Sequence, residues 1–384
     1  MDFSAVIGQK HLKSHLLKSI ENGRTPHAQL FVGAAGSGIL PMAIAYAKAL
    51  LCSAHVAESP AYLQCASKVD KLSHPDLHFV YPVNTSDKIS KNPVSSNYLE
   101  DWRTFVESNS YGSLFDWLQS LGIENKQGNI SVNEAQDLLK TLSLKSYEGG
   151  YKILILWMAE NMHTATANKI LKLVEEPPDK TVLLLLTENE EQIITTIRSR
   201  CQKLDFPRLS EGEISLQLTD FYSVAPNVAK KISRQAHGNF NKALHLLRHD
   251  GDDVIFEKWF VSWVRAAFKA KGNKKAINEL IAWSDELAGQ GRETQKKFIS
   301  FCMELFRQAL LKNYKADDLL FFESDDGNFS IEKFAPFIHQ NNIFEITEAL
   351  ENASYHIERN GNAKIILTDL SIQLTRLIHR KELA

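Results

Sequence analysis

Gly33-Ala34-Ala35-Gly36-Ser37-Gly38-Ile39-Leu40 has the glycine spacing of a phosphate-cradling loop. In a working loop of this kind backbone N–H groups hold phosphate oxygens, a lysine reaches the β and γ phosphates, and a serine or threonine hydroxyl holds Mg²⁺. Ile39 and Leu40 stand where that lysine and hydroxyl belong, and neither can do the work. The scaffold of a nucleotide site is present without its chemistry. The N–H groups around Gly33, Gly36 and Gly38 remain, so weak phosphate binding at most is expected. His74-Pro75-Asp76-Leu77-His78 sets two histidines four apart, but Pro75 argues against the helix that would pair them, and both are expected to be solvated or capping. Cys52, Cys65, Cys201 and Cys302 form no CxxC, which fits reduced thiols better than a disulfide framework.

The apolar pattern around these residues predicts the elements that carry them. Gln29-Leu30-Phe31-Val32 reads as a short buried strand, followed by the glycine loop and a helix from Ala43 to Leu51. His78 to Val83 is a second apolar run, and Asn84 to Ser96 a surface loop. Leu99, Trp102, Phe105, Val106, Leu114, Phe115 and Leu118 recur at roughly helical intervals and predict a helical excursion packed on the core. A helix from Val132 to Leu142, a central strand at Lys152 to Trp157, a helix from Thr164 to Val174 stopped by Pro177 and Pro178, and a strand from Val182 to Leu186 follow. This alternation predicts a parallel α/β domain over 1–207, with an insertion at 84–128. Short helical segments then fill 208–250. Longer helical periodicities, broken at Gly272, Gly289 to Gly291 and Asp325-Asp326-Gly327, predict an all-α domain over 251–384.

Composition narrows the class. A chain of 384 residues with 44% hydrophobic content suits two or three well-filled domains, and a net charge of -2 excludes a broadly basic shell for nucleic acid. Met1 leads into polar residues and no apolar run is long enough to span a bilayer, so a cytoplasmic location with no membrane contact is expected.

Three further segments complete the pattern: Pro26-His27-Ala28-Gln29-Leu30-Phe31-Val32-Gly33, Asn168-Lys169-Ile170-Leu171-Lys172-Leu173-Val174-Glu175-Glu176-Pro177-Pro178, and Thr196-Ile197-Arg198-Ser199-Arg200-Cys201-Gln202. In this order they resemble the AAA+ subunits of bacterial DNA polymerase III clamp loaders, the delta-prime branch most of all. The pairing of Glu-Glu-Pro-Pro with Ser-Arg-Cys is the specific part. The likeness is dense over about 1–250 and thinner beyond, where Asn360-Gly361-Asn362-Ala363-Lys364 is similar to the family's last collar helices.

That resemblance implies a RecA-like module of the P-loop NTPase fold, a helical lid and an all-α collar that joins subunits into an open ring. The ring places the sliding clamp on primed DNA, using ATP and Mg²⁺ held by gamma/tau-type ATPase subunits and with a delta subunit as a further partner. An active member carries Asp then Glu after the central strand, where this chain has Trp157 and Met158, and the lid's phosphate-sensing Arg falls at Asn241. A subunit without catalysis, nucleotide or metal of its own is therefore expected. Arg200 is kept, and the resemblance places it at the subunit boundary, facing the neighbour's phosphates as an arginine finger in trans. Only Cys52 and Cys65 lie where the family commonly has a four-cysteine zinc module, too few for a tetrahedral site. The competing reading, a divergent NTPase with a weak ATP site, needs Lys48 or Lys10 to replace the missing lysine. An independent DNA-binding module finds little support in this charge. Glu175 and Glu176 are expected on a solvated helix end, and nothing in the sequence accounts for acids where the helix dipole disfavours them.

Overall fold

A computed structural model describes residues 1–248, 252–316, 320 and 329–380. Two compact units result, Met1–Ile123 with Gln127–Leu247, and Glu124–Lys126 with Arg248–Ala384. The expected boundary at 250 and the break at Asp325-Asp326-Gly327 lie outside the described residues.

The first unit is built on five parallel strands, β1 (Ala28–Gly33), β2 (Leu77–Val80), β3 (Lys152–Leu156), β4 (Thr181–Thr187) and β5 (Gln202–Phe206), in the order β2-β3-β4-β1-β5. Every pairing in this sheet is parallel, as the alternation of strands and helices predicts. β3 and β4 are buried along their whole length, as their apolar runs require of strands covered on both faces. β5 sits at the sheet edge with Gln202, Lys203 and Asp205 exposed, so it carries no apolar run, and the sequence pattern misses it.

Helices α1 (Lys10–Glu21), α2 (Ile39–Cys52) and α3 (Pro60–Asp70) pack in series, and α2 between them is buried on nearly every residue. α4 (Leu99–Ser108) and α5 (Leu114–Ser120) form the excursion. Its aromatic residues turn inward: Trp102 stacks on Tyr81 with ring centroids 4.1 Å apart and meets Trp117 and Trp157 at 5.2 Å. Buried Trp117 satisfies its indole by donating from Nε1 to the Pro82 carbonyl at 2.8 Å. α6 (Val132–Ser143), α7 (Thr164–Glu175) and α8 (Thr195–Arg198) contribute to a second core of this unit with one side of β1, β3 and β4. α9 (Glu211–Tyr222), α10 (Pro226–Ala236) and α11 (Phe240–Arg248) complete it.

The second unit consists, over its described residues, of helices α12 (Asp252–Lys269), α13 (Lys274–Ala288), α14 (Arg292–Asn313), α15 (Ile331–Phe334), α16 (Ile343–Glu358) and α17 (Ala363–Leu377) with a short 3₁₀ turn. Trp263 and Trp283 stack at 4.8 Å in its core, and Trp263 Nε1 donates to Ser371 Oγ at 2.9 Å. No helix among the described residues is long and apolar enough to cross a membrane.

Two expectations are corrected. Cys52 and Cys65 are not free thiols but joined in a disulfide, because the chain after α2 turns back and packs α3 against it, bringing two buried cysteines together that sequence spacing leaves unpaired. His74 is buried and not solvated, and of the two expected roles it takes the capping one: its Nδ1 accepts the Asp76 N–H at 3.1 Å, so Nε2–H donates to Glu148 Oε2 at 3.2 Å. Burial holds its pKa below the ordinary imidazole value, keeping the neutral form these bonds need. His78 lies in β2 and not on a helix.

Glu134 on α6 anchors the start of the excursion by accepting the Ser95 N–H at 2.7 Å, while Ser95 is also tied to Tyr81 through Tyr81 Oη–H to the Ser95 carbonyl at 2.7 Å. Burial raises the Glu134 carboxyl from 4.5 to about 7. Between those values the unfolded chain loses its proton first, so this group lowers stability as pH rises and the penalty is complete above the folded value, amounting to about 3 kcal/mol. Glu134→Gln is therefore expected to gain stability over the parent between pH 4.5 and pH 8 in urea unfolding, with little difference at the acid end. A difference that does not change with pH would refute the buried-charge account.

Candidate functional site

The glycine loop leaves β1 and enters α2 through Gly36 (φ 69) and Gly38 (φ 94), backbone conformations that disfavour any side chain. A Cβ on Gly36 would collide with Asn239 Oδ1 and lie 2.8 Å from the Phe240 nitrogen, and one on Gly38 would press on the Tyr111 ring at 3.2 Å. The Gly36 carbonyl accepts the Phe240 N–H at 3.2 Å, and Tyr111 meets the Phe240 ring edge-on at 5.0 Å. Tyr111 Oη in turn accepts the Ile7 N–H at 2.8 Å, and Gln9 Nε2 donates to the carbonyls of Ser37 at 3.1 Å and Pro207 at 2.8 Å. The loop is thus held by the chain's own N-terminal segment, excursion and α11.

Ile39 and Leu40 are buried in the main core, at 6% and 2% exposure. Trp157 and Met158, after β3, are buried too, with Trp157 joined to the excursion's aromatic cluster. Lys48, buried in α2, pairs its Nζ with Asp70 at 2.7 Å and Asp2 at 2.9 Å. Lys10 is exposed at the first position of α1.

Asn241 is buried against the excursion. Its Nδ2 donates to Asp116 Oδ2 at 2.6 Å, and its Oδ1 accepts from Asn109 Nδ2 at 2.7 Å. Asp116 also closes the N-terminal cap of α5, accepting from Ser113 N at 2.8 Å and Ser113 Oγ at 2.6 Å, and its Oδ1 lies 2.9 Å from His245 Nε2 on α11. Burial alone would raise the Asp116 carboxyl; His245 and the Ser113 bonds outweigh it and hold the group well below the usual carboxylate range. One buried carboxylate therefore clasps α11 to the excursion.

Arg200 lies between α8 and β5 with its side chain 41% exposed, outside these clusters. Nε pairs with Glu175 Oε1 at 2.8 Å, and Nη1 donates to the Thr196 carbonyl at 3.0 Å. Burial pushes the neighbouring Cys201 thiol up to about 11, so it is not a nucleophile at neutral pH. His55, Cys65 and Glu148 offer atoms within 4.8 Å of one another. Cys65 is committed to its disulfide, and Glu148 to Lys68 at 2.6 Å and His74, so these residues do not fit a four-ligand zinc site.

A family model described as DNA polymerase III, delta subunit, matches residues 8–210, more than half the chain. The chain belongs to the DNA polymerase III delta subunit family. Among relatives, this family member is 28% identical over 242 residues to DNA polymerase III subunit delta' of Bacillus subtilis (strain 168), covering 63% of this chain and 60% of that protein. It is 24% identical over 324 residues to subunit tau of the same organism, covering 80% of this chain and 50% of that protein. This chain spans about half to three fifths of the length of these curated relatives. A solved gamma subunit-related protein of Thermotoga maritima matches over 95% of this chain and 99% of its own length, at 12% identity and TM-score 0.41.

The sequence pattern singles out the glycine loop, Asn241 and Arg200, but not Asn109, Tyr111, Asp116, Asn239 or His245, which surround the first two. The capping box Ser113 to Asp116 was the one local signal for Asp116, and it points to a helix start, not to a contact with α11. Asp116→Ala removes the acceptor for Asn241 and Ser113 and the carboxylate beside His245, at a cost of about 3 kcal/mol. Hydrogen exchange of the α11 amides is expected to quicken while β1, β3 and β4 keep their protection. Unchanged α11 protection in a folded variant would show that the clasp does not hold the segment.

Proposed function

We propose that this chain is a non-catalytic, delta-prime-type subunit of a DNA polymerase III clamp loader, which lends Arg200 to the ATP site of a neighbouring gamma/tau-type subunit. The observation that carries this reading is a contrast. Ile39, Leu40, Trp157, Met158 and Asn241, at the positions that serve ATP in active members, are all buried, whereas Arg200 stands half-exposed with its guanidinium anchored. A guanidinium suits the finger role because charge develops on the transferring phosphoryl group, and the Arg fork stays protonated while it does. The likeness to subunit delta' of Bacillus subtilis supports the assignment.

On this reading residues 1–207 form the RecA-like module, 208–250 the lid and 251–384 the collar segment that joins the ring. ATP and Mg²⁺ are bound by partner subunits and not by this chain. A delta subunit is a further partner, primed DNA is reached through the assembled complex, and the site of action is the cytoplasm. The net charge of -2 agrees with DNA held by the ring as a whole and not by this subunit alone. The divergent-NTPase reading loses its replacement cation at Lys48, which is paired with two aspartates.

Arg200→Ala is expected to leave folding and assembly intact and to lower the clamp- and DNA-stimulated ATPase of the reconstituted complex severalfold. Full stimulated turnover in that variant would count against the finger. Equilibrium binding of labelled ATP to the isolated chain, with and without Mg²⁺, is expected to be weak; tight Mg²⁺-dependent binding would favour the enzyme reading instead.

A further inference from the structure

We propose that Glu175 is a positioning residue for the Arg200 guanidinium, an inference that rests on the finger role argued above. Two edges of the guanidinium are already taken inside this chain. Nε is held by Glu175 Oε1 at 2.8 Å, and Nη1 by the Thr196 carbonyl at 3.0 Å and Ser199 Oγ at 3.4 Å. Nη2 makes no hydrogen bond among the described residues, so the anchored fork keeps one amino group for an acceptor outside the chain.

The placement answers why an acid ends α7. A carboxylate in the last turn opposes the helix dipole, and α7 ends at Glu175, one residue before Glu176 leaves helical geometry and two before Pro177. The cation across from it on the α8–β5 connection offsets that opposition. Glu176 makes no ion pair among the described residues, so the two adjacent acids are not equivalent.

The energetics favour orientation over stability. Both side chains are about two-fifths exposed, at 41% and 39%, and an exposed pair contributes little to folding. An arginine swings through many rotamers, and a cation that must meet a phosphate across a subunit boundary loses rate when it arrives misplaced. Tethering Nε and Nη1 removes that freedom before the neighbour docks. It also leaves the finger's charge in place, since an arginine is not deprotonated by its partner.

The test uses the full-length chain in the reconstituted complex, with stimulated ATPase followed as a function of ATP. Glu175→Ala is expected to lower kcat about three- to tenfold with KM for ATP unchanged. Glu175→Gln, which keeps an acceptor for Nε–H, should fall between it and the parent, and Glu176→Ala should match the parent. The double variant Arg200→Ala with Glu175→Ala should be no slower than Arg200→Ala alone, a non-additivity that a merely structural role for Glu175 would not produce. Parent-like kcat in Glu175→Ala beside a slow Arg200→Ala would overturn the positioning role and leave the finger standing. A double variant slower than Arg200→Ala would overturn it too, by giving Glu175 a separate task. Parent-like turnover in Arg200→Ala would instead remove the finger on which the inference stands.

Discussion

The carboxylate of Asp116 is the contact on which the arrangement around the glycine loop depends. It is an acid buried between two segments that are far apart in sequence, with the cap of α5 on one side and Asn241 and His245 of α11 on the other. Such a charge is tolerated inside a protein only when donors surround it, and once surrounded it is costly to disturb. Because α11 begins at Phe240, whose N–H meets the Gly36 carbonyl, the same contact also fixes what lies over the loop. An acid from the chain itself ties α11 in place.

Ile39, Leu40, Trp157 and Asn241 share one physical fate, burial. Ile39 and Leu40 extend the core beneath α2, and Trp157 extends the aromatic cluster shared with Trp102 and Trp117. Asn241 exchanges hydrogen bonds with Asn109 and Asp116. These side chains serve packing and an internal polar network. The excursion at 84–128 supplies the partners in each case except Ile39 and Leu40. Arg200 stands apart from them, on the surface, with its guanidinium bonded to Glu175 and the Thr196 carbonyl.

Much of the sheet was legible because β3 and β4 are nearly continuous apolar runs, and a strand buried on both faces has no other way to be written. β5 was not legible, since an edge strand with exposed Gln202, Lys203 and Asp205 reads as a loop. α1 was missed because its apolar residues are few, only Leu12 and Leu16 being buried. α3 was missed for a similar reason: its buried stripe is short and consists of Cys65, Ala66 and Val69. The excursion's inward-facing aromatics followed from helical spacing, but the disulfide between Cys52 and Cys65 did not, because no local spacing marks it.

The amino-acid sequence by itself determined the parallel α/β class, the glycine-spaced loop followed by Ile39 and Leu40, and the Ser199-Arg200-Cys201 segment. These are local facts, set by residue type and by periods of two and 3.6 along the chain. Only the tertiary structure decided that Asp116 meets Asn241 and His245, that Tyr111 covers Gly38, and that Glu175 holds Arg200. Each of those pairs joins segments separated by many residues, and an interaction of that kind depends on distance in space and shared burial, which residue order does not encode locally.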